Sequence, residues 1–389
     1  MNQDLWIGKL KSKYRFVRLK SVGRLSENGG ECEDIPELRN LNVQFRTRYT
    51  GYDRTPSFVA YYASKFSLPV FGVTDYASFA GAEELRLACR TTGGVYFCGA
   101  EAEVSAASGE KVRALALAVP HGNAKGFHAT LAPCRNAKKE YVLAYADKFN
   151  SRLKKYGIRI EARDIPSSFG GEKIYTDRLL YGALARAVME KYSEGEEILA
   201  FLEETGAELS EPVRLELSDR ANPLYENDLS YALYHGLKVR PPEQKFMPLT
   251  DFAALCDEYG AICSVVTDGR SPSFLDGIRK EGARSATVGL AGTDAATLTS
   301  FYDECLSRGM IPLARTVVDG ARKKLNEDFP DAGLSRKYRE TVLAVVGHEI
   351  STSIRGEDGI FDGIDPTDSA ALAEKIRLFS RIGSKGKIL

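Results

Sequence analysis

The 389-residue chain is poor in histidine, with four in all, and it has one tryptophan and four methionines. A site built on clustered imidazoles is hard to assemble from His121, His128, His235 and His348 alone. Long apolar runs are also missing, and none approaches the roughly 18–20 residues that a membrane span needs. The opening segment MNQDLWIGKLKSKYRF has no apolar signal core, so a cytoplasmic protein is expected. No excess of one charge exists: 53 Lys+Arg balance 53 Asp+Glu. Neither nucleic acid nor an acidic membrane surface is therefore an expected partner. The seven cysteines (Cys32, Cys89, Cys98, Cys134, Cys256, Cys263, Cys305) form no CxxC pair and read as reduced, mostly buried thiols. Fixed-period repeats and low-complexity tracts are absent.

What is present suffices for one large α/β domain or two ordinary ones, since 43% of the residues are hydrophobic. From about residue 40, short β-rich runs alternate with helical patterns. PVFGVT (69–74), VYFCGAEAEV (95–104) and VRALALAV (112–119) are bounded by turn signals and suit buried strands. Thr55-Pro56 reads as an N-cap followed by proline in the first turn, opening a helix over SFVAYYASKF. GAEELRLACR (81–90) is the next helix. Residues 121–248 turn mostly helical, and the strand–helix rhythm resumes at 249 with DFAALCDEYG, AICSVV, SFLDGIRKEG, SATVGL, DAATLTSFYDECLSRG and MIPLARTVV. Two final helices are expected around 334–346 and 368–380. The arrangement predicts a discontinuous, mainly parallel α/β barrel over 1–120 and 249–389, interrupted by a helical insertion at 121–248. The basic, aromatic-interleaved segment 9–24 reads as a solvated edge strand or arm, with anion contact as the alternative.

The chemistry-bearing residues concentrate in 42–104. In parallel α/β proteins, sites are built from polar residues just past the strand ends. Asp75 follows VFGVT and Glu101 follows VYFCGA, so both carboxylates are expected at successive strand ends. Capping of a helix or turn explains either one alone, whereas the pair suggests a shared pocket.

The succession QFRTRYT…TP, TDYASFAGAEE and GAE resembles the PHP (polymerase and histidinol phosphatase) superfamily. Its members carry HxHTxYS, then a DH[D/S]…GaeE element, then GxE. The resemblance is clearest over 42–104 and extends more loosely through IYTDRLLYGALA, NPLYENDLSYAL, EQKFMPL, AICSVVTDGRS and ARTVVDGARKKLNEDF. It implies a distorted (β/α)7 barrel whose strand-end His, Asp and Glu residues hold a cluster of Mn, Zn or Fe ions for phosphoester hydrolysis.

This chain departs from that pattern at most ligand positions. Gln44 and Arg46 stand where the family has its two first histidines, and Tyr76 follows Asp75 in place of a histidine. Leu179 and Leu224 occupy the corresponding positions of the insert, and Arg315-Thr316 stands where a further ligand is expected. Only Asp75 and Glu101 remain of the implied set. A Zn or Mn centre needs about four to six donors, mainly imidazole and carboxylate. Arg46 has no lone pair to offer and carries a fixed positive charge. The expectation is that no metal cofactor is bound; were the protein active, the resemblance implies a divalent metal (Mn, Zn or Fe).

Two readings of the altered pocket follow. Arg46 would pair with Asp75, Glu101 or both and replace the metal's charge, or else simply face solvent. Alternatively Arg46, Arg48, Arg113, Arg315, Arg322 and Lys323 supply a metal-free anion pocket lined by Tyr49, Tyr52 and Tyr76. Ordinary surface placement is the plainer reading for Arg322 and Lys323. The candidate pocket is thus Gln44, Arg46, Asp75, Tyr76, Glu101 and Arg113.

Other features carry less. His348 at a helix end reads as a helix-end cation and Cys98 as a core thiol. GLAGTD (289–294) would seat a phosphate at a helix N-terminus, and Asp268 and Asp319 read as turn residues. Three functions compete: a catalytically impaired PHP-like protein that binds a small phosphorylated or anionic ligand, a metal-dependent phosphoesterase with a reduced site, and an oligomerising scaffold. The sequence does not reveal the oligomeric state.

Overall fold

Short β-rich runs that are apolar on both faces need a sheet covered on both sides, and the computed structural model supplies one. It describes residues 3–27, 43–66, 68, 70–267, 272–318, 329–365 and 368–385. Cys32, Asp268, Asp319, Arg322 and Lys323 lie outside the described residues. Among those described, the strands in chain order are β1 (Val43–Phe45), β2 (Phe71–Tyr76), β3 (Tyr96–Ser105), β4 (Lys111–Leu117), β5 (Ser167–Phe169), β6 (Glu172–Ile174), β7 (Met247–Pro248), β8 (Ile262–Val266), β9 (Ser285–Gly289) and β10 (Ile311–Val318).

The chain divides into two compact units, Met1–Cys134 with Phe246–Leu389, and Arg135–Lys245. In the first, the ladder β2-β1-β10-β9-β8-β4-β3 returns through a β2–β3 pairing, giving a barrel-shaped sheet of 7 strands, with β7 added beside the end of β3. All neighbours in the ring are parallel except those of β4, which runs against both β3 and β8. This is the expected distorted α/β barrel.

Alternation decides the two faces. Cys98, Ala100, Ala102 and Val104 of β3 face outward and share a core with Val59, Leu85 and Ala88 from the helices Pro56–Lys65 and Ala82–Thr92. Phe97, Leu115, Leu117, Ile262, Ile311 and Leu313 alternate with those outward positions and cluster with Val345, Val346 and Phe379 of the helices Ala332–Ile350 and Ser369–Lys385. The inward face is tight: a Cβ at Gly72 would lie 2.1 Å from the Phe97 ring. The two final helices also touch through a glycine, because a Cβ at Gly347 would fall 1.9 Å from the carbonyl oxygen of Phe379.

The second unit packs helices Asp177–Lys191, Gly195–Glu204, Glu211–Ser218 and Tyr225–Gly236 around Phe149, Leu184, Phe201 and Leu233, beside the β5–β6 hairpin.

Two expectations are corrected. The segment 9–24 is not an edge strand; Arg15–Ser26 is a helix, and its Arg18 is buried. Arg18 forms a salt bridge with Glu84, which also accepts hydrogen bonds from the backbone N–H (3.1 Å) and hydroxyl (2.7 Å) of Ser57. A basic run therefore read as solvated because its one inward arginine cannot be told from its exposed neighbours. Asp75 and Glu101 are likewise not past their strands. β2 runs through Tyr76, and β3 continues to Ser105 because β4 pairs with its second half.

Removing one partner of a buried ion pair leaves the other charge uncompensated, at a cost of about 3–5 kcal/mol. Arg18→Met is accordingly expected to lower unfolding stability by about that much. Urea titration followed by circular dichroism measures it, and a change below 1 kcal/mol, the ordinary ceiling for a surface pair, would show that the pair contributes no more than one.

Candidate functional site

The register that pairs Tyr76 with Glu101 and Asp75 with Ala100 places the two carboxylates on opposite faces of the sheet. Glu101 shares the parity of Phe97 and enters the barrel, and Asp75 shares the parity of Val73 and turns outward. The two do not form one acidic pair.

Asp75 is buried and organises the turn that follows β1. Its Oδ1 accepts from the Thr47 backbone N–H and the Thr50 hydroxyl, and its Oδ2 from the Thr47 hydroxyl, each at 2.6 Å. Thr47 in turn caps the short helical turn Arg48–Thr50, and Thr50 also accepts the Tyr76 backbone N–H at 3.0 Å. Burial pushes the Asp75 carboxyl up, and the threonine donors pull it part of the way back. The partner residues Thr47 and Thr50 were missed in the sequence, although Thr-x-x-Thr beside a strand-end aspartate is the pattern of such a turn.

Glu101 is the hub of the inner group. Arg46 Nη2 donates to both its oxygens, at 2.8 and 2.7 Å, and Arg46 Nη1 reaches the Tyr52 hydroxyl at 3.4 Å. Arg113 Nε lies 3.3 Å from Glu101 Oε1. It can do so because β4 is antiparallel: the start of β4 lies at the same end of the barrel as the ends of its neighbours β3 and β8. Buried Arg315 on β10 adds a third positive charge. Burial pushes the Glu101 carboxyl up, but Arg46, Arg113 and Arg315 outweigh this and hold it below its ordinary value. Burial tends to lower the Arg46 pKa, and Glu101 and Tyr52 more than reverse this, so its guanidinium is charged.

Gln44, two residues before Arg46 and on the same face of β1, is 1% exposed, and neither polar atom of its amide has a hydrogen-bond partner among the described residues. Tyr76, paired with Glu101 at the end of β2, is half-buried and also touches the core beneath the helices. Arg48 lies in the Arg48–Thr50 turn. Leu179 is in the first turn of Asp177–Lys191, and Leu224 precedes Tyr225–Gly236. Arg46, Glu101, Arg113 and Arg315 thus come together, while Asp75 is spoken for by the threonines.

These residues do not fit a divalent metal cluster. Both Glu101 oxygens are engaged by a guanidinium, both Asp75 oxygens accept from protein donors, and Arg46 supplies charge of the repelling sign. The described residues contain no group of three or more His, Cys, Asp or Glu side chains that could hold a metal ion.

The histidines make their contacts outside the Glu101 group. His348 is not a helix-end cation: its Nδ1 accepts from the Ile360 N–H at 3.1 Å, its Nε2 lies 2.8 Å from the Gly260 carbonyl, and burial lowers its pKa. His128 Nδ1 accepts from the Phe79 N–H, and the exposed His235 ring lies tilted against Tyr231, with centroids 4.2 Å apart. The phosphate seat expected at GLAGTD is occupied by the chain itself, since Asp294 caps that helix by accepting from Thr297 N–H at 2.7 Å. The Cys98 thiol is buried, with its pKa pushed well up. No described helix is long and apolar enough to cross a membrane.

No protein-family model matches the chain, and no curated protein sequence does. Among solved structures it is similar to an amidohydrolase from Chromobacterium violaceum that has sulfate bound and no metal. The TM-score is 0.53 at 14% identity, covering 77% of this chain and 96% of that one. A candidate metal-dependent phosphoesterase from Bifidobacterium adolescentis gives 0.48 at the same identity and coverage. The likeness is one of fold, that of an α/β barrel.

Glu101 supplies a pH signature. A carboxyl whose folded pKa lies below its unfolded value stabilises the fold above the unfolded pKa, near 4.3, and loses that contribution as pH falls further. Glu101→Gln should therefore cost about 3–5 kcal/mol at pH 7, with the gap to the parent closing below about pH 4. Urea unfolding across pH 3–7 reads this, and a gap independent of pH would contradict the ion-pair account.

Proposed function

We propose that the chain is a PHP-like barrel whose mouth binds a small phosphorylated or similarly anionic ligand through arginine rather than through metal. The observation that carries this reading is the charge around Glu101: Arg46, Arg113 and Arg315 surround its carboxylate, while Glu103, opposite Arg113 on the same face, is paired with Lys111, leaving a positive surplus at one end of the barrel. Arg113 is 41% exposed and so can turn its planar fork toward a ligand. The buried Gln44 amide adds a donor and an acceptor on the same face of β1. Phosphate oxygens accept from both groups, and a low-dielectric surround strengthens each bond. The sulfate held without metal by the Chromobacterium amidohydrolase supports anion binding in this fold. In this reading Arg46 and Glu101 form a fixed strut, and Arg113 is the adjustable contact. Catalysis is not required of the site.

Isothermal titration with inorganic phosphate and small sugar phosphates, in metal-free buffer, tests the reading. Binding is expected to weaken with added salt, as for partly exposed charges, and by about tenfold or more in Arg113→Ala, the loss of one charge-assisted contact. Phosphate-ester turnover that depends on added Mn and disappears in Asp75→Asn would overturn it in favour of a metal-dependent phosphoesterase.

A further inference from the structure

A second cavity, of about 310 Å³, lies beside the start of β3, among the helix Ala82–Thr92, the segment after β4 and the end of Ala332–Ile350. It is separate from the Glu101 group, because Tyr96 stands five residues before Glu101, roughly 16 Å along an extended strand. Its floor is Tyr96, Val119 and Ile350, all buried, with one carboxyl among them, that of Glu349. Glu349 Oε2 accepts the Cys98 backbone N–H at 3.2 Å, and Oε1 has no partner among the described residues. Capping one backbone N–H needs only a neutral acceptor, so the second oxygen is surplus to that task.

The rim carries the opposite character. Arg86, Arg90 and His121 line it, with Glu83 engaging Arg86 at 2.9 and 2.7 Å and lying 3.5 Å from His121. Desolvation pushes the Glu349 carboxyl up to about 8. The titratable groups buried beside it are the thiols of Cys89 and Cys98 and the Tyr96 phenol, all with pKa values raised chiefly by burial and further by Glu349 itself. None of them is ionised at neutral pH, so Glu349 is mostly protonated there and presents an O–H to the cavity. An apolar floor with a single donor and a basic rim selects against an ammonium ligand and for an acid.

The geometry points to a second ligand site in this cavity, fitted to a small, mainly apolar carboxylate. Its charged end meets the Arg90 rim, and its inner end carries an oxygen that accepts a hydrogen bond from Glu349. Pockets of this size bury most of a small aromatic acid. The site is independent of the anion site at the barrel mouth, and its occupant differs in having an apolar body.

Titration of the full chain with 4-methoxyphenylacetate, whose ether oxygen only accepts, and with 4-methoxyphenethylamine, its near-isosteric amine, followed by NMR, tests the proposal. The acid is expected to bind and to shift the Cys98 amide and the Ile350 methyl signals, with saturating inorganic phosphate failing to displace it. The amine should bind at least tenfold more weakly, and Arg90→Ala should weaken the acid at least fivefold. Affinity in the parent should fall between pH 6.5 and pH 9 as Glu349 loses its proton. Glu349→Gln keeps a donor and should bind at both pH values alike, whereas a purely structural glutamate would leave the parent as independent of pH as the variant. Absence of shifts at Cys98 and Ile350, displacement by phosphate, the amine binding as tightly as the acid, or a parent affinity that does not change with pH would overturn the assignment.

Discussion

The pairing register between β2 and β3 is the constraint on which the rest of the barrel mouth depends. With Tyr76 opposite Glu101, the period of two sends Glu101 into the lumen and Asp75 to the outer wall. A slip of one residue that paired Asp75 with Glu101 would put both carboxylates on one face of the sheet. The register is held by Gly72, since only glycine lets the Phe97 ring lie against the neighbouring strand. Steric fit at one point of the ladder thereby sets the electrostatics several residues away.

The two buried carboxylates then solve the same desolvation problem by different means. Asp75 is surrounded by neutral dipoles, two hydroxyls and an amide, which hold a turn in place. Glu101 is surrounded by full charges from β4, β10 and the residue just past β1. The first arrangement is local and fixes backbone, while the second joins β1, β3, β4 and β10 across the lumen. Lumen charge is costly unless compensated, and the guanidinium of Arg46 meets that need with directional hydrogen bonds.

Much of the fold was legible in the sequence. The six main strands from PVFGVT to MIPLARTVV and the helices between them fall where their patterns place them, because both faces of those strands are apolar. The charged residues that gather around Glu101 were legible, but not their separation from Asp75. Arg46, Glu101, Arg113 and Arg315 stand out by residue type, whereas the separation of Asp75 from Glu101 depends on strand ends that move by one or more residues. The reach of β3 to Ser105 is set by its hairpin partner, a tertiary effect that no local pattern carries. Arg18 and Glu349 were hidden for a related reason. Each lies in a stretch of ordinary helical composition, and only packing distinguishes a buried charge from its solvated neighbours.

The antiparallel strand β4 has a consequence for assembly of the site in time. Glu101 and Arg113 belong to one hairpin, and their contact closes a short loop, whereas Arg46 and Arg315 lie on strands separated by most of the chain. Contacts of small sequence separation form at low entropic cost. The first counter-charge for Glu101 is thus available from its own hairpin before the barrel closes. The carboxylate enters the lumen already partnered, and the long-range strands complete a charge balance that the local chain has begun.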